Sequence, residues 1–95
     1  MIRHVDKIMS ISCGAFEASL AALDPHAKID AAGHTSVICA GVTAQIQFAA
    51  MPARLLGGLL AMPQASVRIT IPDATEAQTA AFLRRFDIAF QRGGG

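Results

Sequence analysis

The stretch AAGHTSVICAGVTA, residues 31–44, decides how the middle of this chain folds. From Ser36 the sequence continues without proline as far as Pro52, and its residues are apolar on most faces. Serine is a favoured N-cap residue, so we predict a helix that Ser36 caps and Val37 opens. Because it is apolar nearly all round, this helix is expected to be buried on more than one side. Gly41 costs such a helix roughly 1 kcal/mol relative to alanine, which indicates close packing there.

The residues before this stretch divide into an N-terminal extension and an ambiguous segment. Residues 1–14 are assigned to the extension, in which KIMSISC alternates weakly, as a strand does. Within residues 16–33, Phe16, Leu20 and Leu23 have helical spacing. The same segment also alternates like a strand, with Glu17 and Ser19 opposed to Phe16, Ala18, Leu20 and Ala22. Because the proline in LDPHAK favours a turn, we predict a β-hairpin over 16–33.

The C-terminal half contains the clearest strand and the clearest helix. In ASVRITIP, Val67, Ile69 and Ile71 alternate with polar residues, which predicts a strand. In DATEAQTAAFLRRFDIAF, Thr75 followed by Gln78 forms a capping box that opens a helix. The apolar stripe of this helix consists of Phe82, Leu83, Phe86, Ala89 and Phe90. We interpret the adjacent Arg84 and Arg85 as part of its solvated face.

The order of the elements predicts the fold class. Residues 51–64, in which Gly57 and Gly58 separate two leucine pairs, are interpreted as either a short hairpin or a broken helix. Residues 93–95 are expected to be a disordered tail. Strand, strand, helix, strand and helix then form a single two-layer α+β domain over residues 15–92. Its small, mainly antiparallel sheet is packed by two main helices.

Composition narrows the classes of function. The chain has 95 residues, of which 53% are hydrophobic, and a net charge of +1. A short, apolar and weakly charged chain often buries surface in an oligomer, so we expect a homodimer. A basic stripe with stacking aromatic residues is missing, which argues against nucleic-acid binding. No stretch reaches the ~18 apolar residues of a membrane helix, and no signal peptide fits, so we expect a cytoplasmic protein that does not bind membranes.

Cys39 and His34 are the candidate catalytic residues. If Ser36 caps a helix, Cys39 is the third helical residue, where free N–H groups and the helix dipole favour a thiolate. His34 would stand just before that helix and act as general base to the Cys39 nucleophile. Gly33 would allow a sharp turn beside the pair. Thr43, one turn below Cys39, would hydrogen-bond either the thiol or its own helix backbone.

The alternative is that Cys39 is a core residue. Cysteine is among the most buried residue types and usually packs as a small hydrophobe. A metal site is not expected, because the histidines and the two cysteines have no spacing that resembles a paired ligand motif. No cofactor is expected either.

The block from Gly33 to Ala44 resembles the signature of the ribosomal-processing cysteine protease family (Prp, also called YsxB-like). In that family a Gly-His pair at the end of a strand is followed by a loop and then by Ile-Val-Cys-Ala-Ala-Val-Ser-Ala at the start of a helix. Gly33 and His34 match the first part. The second part is matched by Val37, Ile38, Cys39, Ala40, Val42 and Ala44, and Thr43 stands where the family has serine.

This resemblance implies a cytosolic dimer that cleaves an N-terminal extension from a large-subunit ribosomal protein, with Cys39 as nucleophile and His34 as general base. The chain departs from the family in two places. The loop between histidine and cysteine is about half as long here, and Ser36 stands where the family has aspartate. These departures leave open a second hypothesis, a catalytically inactive Prp-fold homolog that serves as a dimeric binding or assembly module or as a structural component of a larger particle.

Overall fold

The computed structural model describes residues 2–56 and 60–91 as four strands and two helices. They are β1 (Arg3–Met9), α1 (Cys13–Leu23), β2 (His34–Cys39), β3 (Val42–Leu56), β4 (Leu60–Ile71) and α2 (Glu76–Gln91). The sheet has the order β1-β4-β3-β2, and every neighbouring pair is antiparallel. One face of the sheet and both helices enclose a single hydrophobic core. The prediction of a two-layer α+β fold is confirmed.

The middle of the chain is a β-hairpin, so the helix predicted from Ser36 is wrong. Strands β2 and β3 pair in register from His34 opposite Gln47 to Cys39 opposite Val42. Side chains therefore alternate between the core and the outer face of the sheet. The buried set consists of Thr35, Val37, Cys39, Val42, Ala44, Ile46 and Phe48. The alternation was obscured because Ile38 is apolar although 65% of it is exposed on the outer face.

The turn of this hairpin explains the position of Gly41. Ala40 and Gly41 are the two residues between the paired Cys39 and Val42, and both have positive φ, at 53° and 75°. Positive φ at both central residues defines the type I′ turn that two-residue hairpins favour. The usual signal for this turn is Asn-Gly or Asp-Gly, and Ala-Gly does not carry it. Gly41 was therefore interpreted as a helix interior residue.

Residues 13–23 form a helix, where the sequence favoured a hairpin over 16–33. Ser12 caps α1, since its Oγ accepts a hydrogen bond from the Ala15 N–H at 3.2 Å. Phe16 and Leu20 are fully buried one turn apart. Their helical spacing was therefore the correct one of the two patterns in this segment. The turn predicted at LDPHAK is present just after α1.

The segment assigned to an N-terminal extension belongs to the sheet. Strand β1 pairs with β4 along its whole length, from Arg3 opposite Ile71 to Met9 opposite Ala65. Ile11, which follows it, is buried in the core. The domain therefore includes most of residues 1–14, and its element order is β-α-β-β-β-α rather than the predicted one.

Strands β3 and β4 continue past the rest of the sheet as a two-stranded arm, which we define as residues 50–56 and 60–64. Within it Arg54 pairs with Met62 and Leu56 with Leu60, so the hairpin interpretation of 51–64 is the correct one. A register shift between Met51 and Arg54 interrupts the pairing. The predicted turn at Gly57 and Gly58 lies outside the described residues, as does the tail at 93–95.

The prediction for the last strand and helix is confirmed. Strand β4 contains Val67, Ile69 and Ile71, all buried. At the start of α2, Gln78 N–H donates to Thr75 Oγ1 at 3.1 Å, and Thr75 N–H donates to Gln78 Oε1 at 2.9 Å, which is the capping box. The stripe of α2 packs into the core through Phe82, Phe86 and Phe90, with Phe16 of α1 against the ring of Phe90 at 5.1 Å between centroids.

Candidate functional site

Cys39 is the last residue of β2 and faces the helices. Only 9% of it is exposed, and its side chain lies at the floor of an open groove of about 790 Å³ between α1 and α2. We call this the helix groove. Ala22 and Leu23 line it on the α1 side. On the α2 side it is lined by Ala80, Ala81, Arg84, Arg85, Ile88 and Ala89.

His34 is the first residue of β2 and faces the opposite way. It is exposed on the outer face of the sheet, where β2 alternates between exposed and buried residues. Five residues of extended strand separate the Cα atoms of His34 and Cys39 by about 17 Å, at a rise of ~3.3 Å per residue. The expectation that the thiol and imidazole would be neighbours is therefore wrong. An odd number of steps along one strand places two side chains on different faces.

The environment of Cys39 favours a neutral thiol. Burial raises the pKa of Cys39, and Asp24 raises it further, whereas the positive charge of Arg85 acts in the opposite direction. The predicted activating field came from a helix N-terminus, and Cys39 ends a strand instead. A nucleophilic cysteine needs a lowered pKa or an adjacent base. Neither is present at Cys39 among the described residues, so the geometry is that of a core cysteine.

The other residues predicted to support the pair are placed by the hairpin. Gly33 has a positive φ of 81° and its carbonyl accepts from Phe48 N–H at 2.7 Å, so it does make a sharp turn, before β2. Ser36 is not an N-cap, and its Oγ accepts from Gln45 Nε2 at 3.2 Å on the outer face. Thr43 is exposed and pairs with Ile38, which puts it on the face opposite Cys39.

The sequence interpretation missed the helix groove. Arg84 and Arg85 are exposed, as predicted, but both also line the groove. The signal was a second face of α2, formed by two rows of residues spaced by four: Ala80, Arg84 and Ile88, and Ala81, Arg85 and Ala89. The phenylalanine stripe of the core face is the stronger apolar pattern in α2, so these rows were not predicted to form a second face.

Comparisons with known proteins found no relative. No model of a protein family, no curated protein and no solved structure matches the chain. The likeness to the Prp family therefore stays a prediction that depends on the residues between Gly33 and Ala44.

The residues that the structure describes contain neither a candidate metal site nor a membrane-spanning helix. Among them there is no group of three or more His, Cys, Asp or Glu side chains that could hold a metal ion. No helix in residues 2–56 and 60–91 is long and apolar enough to cross a membrane.

Proposed function

We propose that this chain is a non-catalytic assembly module that forms a homodimer through the β3–β4 arm. The observation that carries the proposal is the arm itself, a ribbon of two strands with exposed apolar side chains and no layer packed on it within the described residues. This function is the second of the two hypotheses drawn from the sequence. The protein is proposed to act in the cytosol.

The arm exposes a concentration of apolar side chains. Leu55 and Leu60 are 71% and 59% exposed, and Met51 is 38% exposed. Leu60 pairs with Leu56, the neighbour of Leu55, so Leu55 and Leu60 lie on opposite faces of the ribbon and both faces are apolar. Arg54 is the one charged residue among residues 50–56 and 60–64. Apolar surface grouped in this way marks an interaction site more often than single exposed residues do. An isolated two-stranded ribbon is also only marginally stable in water, so a partner surface would stabilise it.

The prolines of the arm favour a closed contact over open-ended strand addition. Pro52 and Pro63 carry no N–H group to donate to a further strand. Proline on an edge strand is one of the ways in which proteins prevent edge-to-edge aggregation. The contact would therefore form through side chains of both faces of the ribbon, with two arms packed around each other about a two-fold axis.

The Prp-like protease is the competing hypothesis. It requires the Cys39 thiol and the His34 imidazole to meet, and this hairpin holds them on opposite faces of β2. Incubating the protein with a peptide that carries the N-terminal extension of a large-subunit ribosomal protein tests it directly. Cleavage that is lost in both Cys39→Ala and His34→Ala would establish the protease and overturn a non-catalytic role.

Light scattering of the protein eluting from a size-exclusion column tests the assembly proposal. We expect the mass of a dimer for the native chain and of a monomer for the double variant Leu55→Glu/Leu60→Glu. The control is Ile38→Glu, which adds one negative charge at a residue of similar exposure on the sheet's outer face, away from the arm. A monomeric native chain, or a double variant that remains dimeric while folded by circular dichroism, would overturn the proposal. A larger particle would instead favour a structural component.

A further inference from the structure

The walls of the helix groove consist mainly of small apolar side chains. Ala22 and Leu23 of α1 face the alanines of α2 across it, and Ile88 is 53% exposed within it. A volume of about 790 Å³ lies within the range of roughly 300–1,000 Å³ that is usual for small-molecule sites. The groove therefore suits a small apolar body better than a folded partner.

The charge of the groove has one sign. Arg84 and Arg85 are the charged residues that line it. Neither takes part in the ion pairs of the described residues, which join Lys7 to Asp87 and Arg68 to Asp6. The two guanidinium groups therefore lack an anionic partner within residues 2–56 and 60–91.

Two acids of this region, Asp24 and Asp87, form no ion pair with these arginines in the described residues. Asp24, at the end of α1, is close enough to raise the pKa of Cys39. Its two carboxylate oxygens accept backbone N–H groups, from His26 at 3.0 Å and from Ile38 at 2.9 Å. The acid of α2 in this region, Asp87, pairs with Lys7 of β1 instead.

We infer that the helix groove binds a small amphipathic carboxylate, an acyl chain of medium length with its head group at Arg84 and Arg85. The planar guanidinium group matches the geometry of a carboxylate and forms charge-assisted pairs with it. The acyl chain covers the apolar part of the lining, including Leu23 and Ile88. This site is separate from the arm and does not depend on the proposed dimer.

Nuclear magnetic resonance titration with octanoate tests the inference. We expect saturable shifts of backbone amide signals confined to residues 22–23, 39 and 80–89. Acetate supplies the head group without the chain, and octan-1-ol supplies the chain with a neutral head. Each is expected to bind at least tenfold more weakly than octanoate.

Two variants identify the site. Arg84→Gln/Arg85→Gln keeps good helix formers at exposed positions and should weaken octanoate binding at least tenfold. Arg54→Gln on the arm, which removes one positive charge outside the groove, is the control and should change binding less than twofold. Ala81→Trp, which fills the groove from an exposed position, should abolish binding.

Three results would overturn the inference. They are the absence of saturable shifts with octanoate, equal binding by the double arginine variant, and shifts that map to the outer face of the sheet. Repeating the titration on Leu55→Glu/Leu60→Glu separates this site from the arm, since a monomer is expected to bind octanoate as the native chain does.

Discussion

At the scale of the residue, the direction of one side chain decides between a nucleophile and a core residue. Cys39 and His34 are close in sequence, and proximity in sequence suggested a catalytic pair. In a helix, residues near its start can share a side, but in a strand residues five apart cannot. The chemistry assigned to Cys39 therefore depended on a secondary-structure prediction that the hairpin replaces.

Cys13 is expected to react faster than Cys39, whereas a catalytic Cys39 would react faster than Cys13. Cys13 is exposed and Cys39 is buried, with a pKa raised by burial. Since the thiolate is the reactive form, iodoacetamide should modify Cys13 at least about tenfold faster than Cys39. Mass spectrometry of timed digests measures both rates in the native chain.

Two variants test why Cys39 should react more slowly than Cys13. His34→Ala should change the Cys39 rate less than about twofold, because the imidazole lies on the other face of the sheet. Arg85→Gln should slow Cys39 further, since the guanidinium charge favours the thiolate. Faster modification of Cys39 than of Cys13, slowed in His34→Ala, would contradict this account of the site.

Gly33 has a backbone conformation that other residues adopt only under strain. Its φ of 81° lies in the left-handed region, and a Cβ added there would stand 2.1 Å from the carbonyl oxygen of Phe48. We expect Gly33→Ala to lower the free energy of unfolding by roughly 2–5 kcal/mol, from the strained φ and the overpacking together. Urea denaturation measures the change.

Gly14 provides the control for Gly33. It lies in the first turn of α1, and a Cβ there would meet nothing within 4 Å. Gly14→Ala should therefore stabilise the protein by roughly 0.5 kcal/mol, through the unfolded state. If the two variants had similar effects, the close contact at Gly33 would not be what determines its identity.

At the scale of the element, the sequence predicted those helices and strands that are defined by residues within the element itself. The capping box at Thr75 and Gln78 and the strict alternation of Val67, Ile69 and Ile71 lie within single elements. Each could be predicted because the residues that define it are neighbours in sequence.

The parts that could not be predicted depend on a partner strand. The hairpin of β2 and β3 turns at Ala40, a residue that rarely adopts positive φ. Without an Asn-Gly signal, VICAGVTA matches a helix by composition. The helix groove is further from prediction, because it forms only when α1, α2 and the end of β2 are brought together.

The loop between α1 and β2, residues 24–33, protects one of the two edges of the sheet, the edge of β2. Asp24 accepts the N–H of Ile38 at 2.9 Å, and Asp30 accepts that of His34 at 2.9 Å. These groups lie on the edge of β2 that does not face β3. Capping the edge of β2 in this way limits its pairing with other chains.

This loop is expected to make stability depend on acid. The N–H of Ile38 is the main cause that lowers the pKa of Asp24, and the N–H of His34 is the main cause for Asp30. A carboxyl whose pKa is lower in the folded state stabilises the fold above its unfolded pKa, near 3.8 for both groups. That contribution is lost as the pH falls through the lowered value. The urea midpoint should therefore fall between about pH 6 and about pH 3.

A double variant assigns this acid dependence to the loop. The urea midpoint of Asp24→Asn/Asp30→Asn should fall less over the same pH range. The decrease that remains is expected from Asp6, whose pKa is lowered chiefly by its hydrogen bond with Arg68. Glu17→Gln removes a carboxylate from α1 and serves as the control. An equal fall in the double variant and the native chain would place the acid sensitivity elsewhere.

At the scale of the whole molecule, the arm makes the chain longer than its size requires. Its extents are 45 × 24 × 23 Å and its radius of gyration is 13.6 Å, where about 12.4 Å is usual for a compact chain of this length. A domain this small has a thin core, and part of its apolar composition is placed on the arm rather than in that core. A second copy would bury the surface that the core leaves exposed.

The melting temperature should then rise with protein concentration. When unfolding also separates two subunits, mass action stabilises the dimer as concentration increases, by about 2.7 kcal/mol for a hundredfold increase. For a dimer of this size we expect the melting temperature to rise by about 5–10 °C over that range. Calorimetry on Leu55→Glu/Leu60→Glu should give one melting temperature at all concentrations, whereas Ile38→Glu should behave like the native chain. A native chain whose melting temperature is independent of concentration would mean that the arm is stable without a second copy, and the assembly proposal would fail with it.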